Sequence, residues 1–362
     1  MYIENPRPDC KLLMDVISGK RKSDKVLYME LIIDDEILAQ YTEKYLNRKW
    51  VPYERHDLEK RKAYWDNVIK CYYHLGYSGF RVSNALTFDI DSHNVEDTAL
   101  ASRGTRKWSD HSGKIKDLES FESYPWPTLD DIDLWDYQYV AENLPEGMGI
   151  FACVYGGIFE MLCEYLVGFE EMSYMLYDNE ELLSKIFDKV GSVLYKAYEK
   201  IITIDKVECI FQGDDLGYTQ GLMFSPEFYR KYVLPWHKSL VDLAHKHGKL
   251  YLLHSCGNLR DLKEDLINLG IDGKHSFEEK GWRVIDFYNE MKDHMGVIGG
   301  VDVDLLCRME DVEFEKYCTN ILDACFSGGR YVYGSGNSVP NYAPLDKFLL
   351  MLEVANNYKV RG

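Results

Sequence analysis

The sequence predicts an α/β protein of the (β/α)8 TIM-barrel class, and three observations carry that expectation. Eight short β-rich runs are spread along the 362 residues, several of them nearly continuously apolar, as strands covered on both faces are. Helix-length segments with three-to-four spacing separate them, an alternation that pairs strands in parallel through crossovers. Eight such units imply closure into a barrel rather than an open sheet.

In chain order, an N-terminal helical extension comes first, and VLYMELII (26–33) is the first strand run. GFRVS (79–83) follows a helical stretch that ends in the turn-like LGYSG. GIFACVY (149–155), VECIF (207–211), KLYLLH (249–254), GKHSF (273–277), GVIGG (296–300) and YVYGS (331–335) complete the eight. Residues 178–204 read as a helix with Leu182, Leu183, Ile186, Val190 and Leu194 on one face. Ser225-Pro226-Glu227 opens another that runs to about His247, with proline near its first position and Gly248 as a C-terminal cap. Later helices are expected at 259–269, 284–291, 312–324 and 344–357. Residues 103–133 are polar and punctuated by Pro125 and Pro127, and read as an elaborated loop with a small hairpin near the barrel mouth. No repeat, low-complexity tract or linker divides the chain, so 1–362 is expected to be one domain.

The formal charge of −18 argues against nucleic acid and anionic membrane as partners, since both are bound chiefly through Lys and Arg. No apolar run approaches the roughly 18–20 residues that cross a bilayer, and MYIENPRPDC lacks the basic-then-apolar pattern of a signal peptide. Nine scattered cysteines, an odd number without a CxxC, fit reduced thiols in a cytoplasm. There is no GxGxxG after a first strand and no P-loop, which removes the best signatures of dinucleotide and NTP binding.

The sharpest local feature is LLHSCGN (252–258), at the end of the fifth strand run. Barrel chemistry sits at C-terminal strand ends, and residues two apart share a face, so His254 and Cys256 are expected to point into one pocket. Imidazole and thiolate are a pair suited to Zn²⁺, with Glu278 or Glu279 after the next strand able to add a carboxylate. A histidine and a cysteine packed at a strand end without metal is the competing reading. Asp214 and Asp215 follow the fourth run, so one should face the mouth; binding and helix capping are both open. Tyr155 and Tyr165 read as packing, and His245 and His247 as cations placed at a helix C-terminus. Arg81, inside the second strand, is unusual and has no partner assignable from sequence.

The stretch FQGDDLGYTQGLMFSPEFYRKYVLPWHKSLVDLAHKHGKLYLLHSCG (211–257) resembles the central segment of the uroporphyrinogen decarboxylase superfamily. LGYSGF (75–80), YPWP (124–127), GGIFEMLCEYLVGFEEM (156–172), GGVD (299–302) and GSGNSVP (334–340) extend the likeness in the same order. The resemblance implies a (β/α)8 barrel and either of two chemistries. One is decarboxylation of uroporphyrinogen; the other is zinc-dependent methyl transfer between a corrinoid protein and a thiol. For the first, the family's arginine-rich first strand is replaced by MELIIDDE (29–36), which sets Glu30, Asp34, Asp35 and Glu36 against a polyanionic substrate. Its aspartate falls near Asn84 or Ala85, its serine at Gly213 and its late histidine at Asn337; only its tyrosine is kept, as Tyr165. For the second, His254 and Cys256 match an HxCG zinc motif, while the family's second cysteine falls at Asn337. Cobalamin-independent methionine synthase, a more distant barrel, follows its HxC with a glutamate, which implies Glu278 as third ligand.

The expectation is therefore a zinc methyltransferase with His254, Cys256 and Glu278 on the metal. Tyr165, Asp214 and Asp215 would be catalytic, and Asn337 would stand at the cofactor-binding position. A corrinoid protein is the expected partner, alongside a small-molecule substrate, and relatives of this kind are often homodimers. A carboxy-lyase and a corrinoid or small-molecule binding protein without catalysis are the alternatives.

Overall fold

The structure is a computed structural model that describes residues 1–99, 104–108, 113–154 and 156–359, with the backbone alone at 106–108. At its centre lies a parallel sheet of seven strands, hydrogen-bonded in chain order. They are β1 (Gly79–Val82), β2 (Gly149–Ala152), β3 (Val207–Gly213), β4 (Leu250–His254), β5 (Gly273–His275), β6 (Gly296–Ile298) and β7 (Tyr331–Val332). Helices fill the connections, among them Glu180–Ile201 before β3, Leu234–Lys246 before β4 and Asp311–Cys325 before β7. Their buried stripes and one side of the sheet form the larger apolar cluster.

The other side of the sheet faces inward. Phe151 of β2, Cys209 and Phe211 of β3, Leu250 and Leu252 of β4, Ile298 of β6 and Val332 of β7 share one buried cluster. Residues from early and late strands can meet only if the sheet curls. The helix Cys10–Ile17, capped by Asp9 on the Leu12 N–H at 2.8 Å, adds Leu13, Met14, Val16 and Ile17 to that cluster. The N-terminal helical extension thus packs against the apolar residues of the inner face, opposite the C-terminal strand ends.

The first expected strand, 26–33, is not a ladder strand. It runs extended beside β7 through isolated parallel bridges at Tyr28–Tyr333 and Ile33–Val339, with Met29 and Leu31 facing inward. The break has a visible cause. The buried Glu30 carboxylate accepts from the Ser335 N–H at 3.1 Å and from the Ser335 hydroxyl, taking the place of a backbone acceptor. Tyr77, just before β1, donates to the same carboxylate at 3.2 Å. Glu30 therefore ties the 26–33 segment to both its neighbours.

Burial pushes Glu30 up to about 7, against the pull of these donors. A raised folded-state value means stability fully present below the ordinary carboxylate range and lost as pH rises through 7. We predict that the wild type loses roughly 3 kcal/mol more between pH 4.5 and 8 than the Glu30→Gln chain does. Denaturant unfolding of both chains at several pH values measures this, and parallel curves would refute it.

Other elements differ in detail. The helix expected over 225–247 is interrupted by a π-helical turn, Tyr229–Val233, because Pro235 has no N–H for the Lys231 carbonyl. Gly248 does take the left-handed conformation just past the helix end, with φ of 68°. The 178–204 helix divides at Asn179, whose side chain caps Glu180–Ile201. The hairpin of the expected 103–133 loop begins earlier, pairing His93–Glu96 with Thr105–Trp108; Arg103 and 109–112 lie outside the described residues. Among the described residues no helix is long and apolar enough to cross a membrane.

Candidate active site

Register decides which side chains reach the mouth. Gly213 of β3 pairs with His254 of β4, and His254 with His275 of β5. Leu252 faces inward, so His254, two residues on, does too, at the C-terminal rim. Cys256 follows in the loop after β4, its N–H held by Asp215 Oδ1 at 2.8 Å. His254 Nε2 then lies 3.6 Å from Cys256 Sγ and 3.5 Å from Asp215 Oδ1. Among the described residues these three offer donor atoms all within 4.8 Å of one another.

A chain of hydrogen bonds sets the tautomers. His275 Nε2 meets the Ser335 carbonyl at 3.0 Å and must donate to it. Burial holds His275 down to about 3, so it is neutral and its Nδ1 carries a lone pair. His254 Nδ1, 2.7 Å away, therefore donates to His275, which leaves His254 Nε2 unprotonated and aimed at Cys256 and Asp215. Burial, then the neighbouring His275 ring and the positive charges of Arg81 and Lys274, keep His254 well below its ordinary range. His254 Nε2 thus offers a lone pair toward Cys256 and Asp215.

The neighbouring groups are strained electrostatically. Burial and then Asp215 push the Cys256 thiol up, so it keeps its proton when no cation is near. Burial likewise raises Asp215 and Glu278. Glu160 rises to about 8 by burial, with Asp215 and Asp214 adding to it. Lys274 is buried without a carboxylate partner among the described residues; its Nζ donates to the Ser255 and Ser276 carbonyls, and burial brings it down to about 8. A cation bound among Asp215, His254 and Cys256 would relieve the acids and drive the thiol proton off.

The spacing fits zinc. Bonds of about 2.0 Å to nitrogen or oxygen and about 2.3 Å to sulfur, spread tetrahedrally, set nitrogen and sulfur about 3.5 Å apart and nitrogen and oxygen about 3.3 Å apart. The observed separations are 3.6 and 3.5 Å.

The remaining expected residues are placed as follows. Asp214 is fully buried and turned away, accepting from the N–H groups of Ile158, Phe159 and Glu160 and bonded to His237. Of the aspartate pair, only Asp215 belongs to the His254–Cys256 group. Asn337 donates to Cys256 Sγ at 3.3 Å, a hydrogen bond where the family pattern has a ligand. Glu278 lies outside the three-donor group and lines a cavity of about 480 Å³ with Thr219, Asp302, Asn337 and Tyr342. Its charge still reaches the Cys256 thiol. Glu279 is engaged by the Tyr317 hydroxyl at 3.0 Å. Tyr165 sits on the π-helical turn Met161–Leu166, partly buried against the larger core, and Tyr155 lies outside the described residues.

Sequence reasoning missed His275 and Glu160. His275 was visible only as the third residue of GKHSF, and its role depends on the β4–β5 register. Glu160 lay inside GGIFEMLCEYLVGFEEM (156–172), a block that carried only the family resemblance.

No curated protein matches the chain in sequence. Among solved structures it resembles a methyltransferase from Methanosarcina mazei, 14% identical with a TM-score of 0.69 over 95% of this chain and 96% of that one. It also resembles a B12-independent methionine synthase from Shewanella sp. W3-18-1, 10% identical with a TM-score of 0.49 over 92% and 96%. The first likeness is one of fold. The family model described as uroporphyrinogen decarboxylase (URO-D) matches residues 138–358, more than half of the chain and all of the site from Glu160 to Asn337. The chain belongs to the uroporphyrinogen decarboxylase (URO-D) family.

Proposed function

We propose that this chain is a zinc-dependent methyltransferase, one closed (β/α)8 unit in the cytoplasm that moves a methyl group between a partner-borne corrinoid and a thiol. The observation that carries the reading is the convergence of His254 Nε2, Cys256 Sγ and an Asp215 oxygen within 4.8 Å of one another, with the nitrogen unprotonated and at zinc-like spacing from the other two. These three would hold the metal, with Asp215 in the place first expected for Glu278. Zinc bound there would hold a substrate thiol as its thiolate, the nucleophile at neutral pH.

The chain's own groups supply the rest. Asn337 donates to the Cys256 sulfur and would steady the negative charge that sulfur takes on beside a cation. His275 fixes the His254 ring. Glu160, protonated near neutrality, is a proton source beside Asp215. Resemblance to methyltransferase folds supports the reaction class, and a decarboxylase reading finds no arginine-rich first strand.

Metal analysis tests the reading. We predict one zinc per purified wild-type chain at neutral pH and a large deficit in the Cys256→Ser chain, together with methyl transfer from a methylated corrinoid protein to a small thiol. A chain that binds no zinc at neutral pH would sink it.

A further inference from the structure

Arg81 is inward-facing by register, since it pairs with Phe151 of the inner cluster. Its side chain climbs the interior toward the rim. A methyl group built on Gly213 would sit 3.6 Å from Arg81 Nη2 and 3.8 Å from His254 Cδ2, so the guanidinium and the imidazole flank one methyl-sized gap. Among the described residues no carboxylate pairs with it. Its one hydrogen bond among the described residues runs from Nη2 to the Cys153 sulfur at 2.6 Å, and that thiol is directed to the Val154 carbonyl. Nε is buried with no hydrogen-bond partner among the described residues. The same arginine lines a cavity of about 360 Å³ with Leu31, Ile33, Trp65, Ser83 and Asn84.

Glu160 acts on Arg81 through its charge, but no carboxylate among the described residues is in ion-pair contact with it, and a half-buried guanidinium with its Nε sealed off is costly unless something supplies such a contact. We infer that Arg81 anchors the carboxylate of a small substrate whose reacting end lies at His254 and Cys256. The planar fork of arginine matches a carboxylate. Asp34, Asp35 and Glu36 line the same cavity and would repel a phosphate dianion far more than a singly charged carboxylate. The substrate class is then a small carboxylic acid, and in the methyl-transfer reading, on which the thiol half of this assignment rests, a thiol acid.

Two probes separate the parts. On the metal-free chain, propionate tests Arg81 alone: it should bind measurably by calorimetry, and Arg81→Gln should weaken it about 10- to 100-fold. On the zinc-loaded chain, 3-mercaptopropionate should bind about 10- to 100-fold more tightly than uncharged 3-mercapto-1-propanol, a comparison that needs no variant. Zinc content of the Arg81→Gln chain should equal that of the wild type. Propionate binding that survives Arg81→Gln unchanged, or no preference for the charged thiol over the uncharged one, overturns the assignment. If zinc is absent yet propionate binds through Arg81, the metal reading fails and the carboxylate anchor stands.

Discussion

The His254→Ala chain is expected to bind zinc more than about 100-fold more weakly than the wild type, and His275→Phe about 10- to 100-fold more weakly. The first substitution removes one of three protein donors. The second touches no donor; it removes the acceptor that keeps the proton on His254 Nδ1. Phenylalanine fills the same space but leaves the buried His254 Nδ1–H without its acceptor and the Ser335 carbonyl with the Gly300 N–H alone, at 3.3 Å. The imidazole can then turn or take the other tautomer, which puts a proton where the metal should bind. Competition against a chromophoric zinc chelator gives both constants. Wild-type affinity in His275→Phe would show that the ring pair does not orient the ligand. Affinity in all chains should rise with pH, because zinc must displace the proton that burial holds on Cys256.

How much of this was legible in sequence depended on whether a property was local. The seven ladder strands were readable because sheet residues covered on both faces must be apolar, and runs such as LYLLH are so regardless of context. The 26–33 run has the same composition and still forms no ladder. Its fate turns on a bond between Glu30 and Ser335, 305 positions apart, which no periodicity records. The HxC pair was readable because two residues so close in sequence carry their relation with them, even though β4 ends at His254 and Cys256 stands in the loop beyond it. Asp215 could not be told from Asp214 by that logic. Their division follows from the N–H groups at 158–160, which lie on another crossover. His275 was hidden for the same reason, since its partnership with His254 exists only through inter-strand register. Arg81 was readable as an oddity, and the structure shows what the oddity borders.

Replacing Asp214 by alanine should lower the unfolding free energy by about 3–5 kcal/mol, the cost of removing one partner from a fully buried charged network. Asp214 accepts from Ile158, Phe159 and Glu160 at 3.0, 3.2 and 2.8 Å and meets His237 Nε2 at 2.9 Å, while His237 Nδ1 meets the Tyr251 hydroxyl at 2.6 Å. Alanine leaves three N–H groups and a buried imidazole without that acceptor. The fit is close enough to demand glycine next door, since a Cβ on Gly157 would sit 2.1 Å from Asp214 Oδ1. Asp214→Asn should cost less, because one oxygen still accepts, though its amide would face a donor. The loss should also reach the site. Asp214 pins the chain one residue before Asp215, and its backbone N–H joins the end of β4 at the His254 carbonyl, 2.9 Å away. Freeing that point lets Asp215 drift from the 3.5 Å approach that suits a shared cation. Denaturant unfolding and zinc titration on the same variant therefore test one claim from two sides. A stability change under about 1 kcal/mol would mean that the cap is dispensable. A full loss of stability with zinc affinity unchanged would mean that Asp215 is positioned by something other than its buried neighbour.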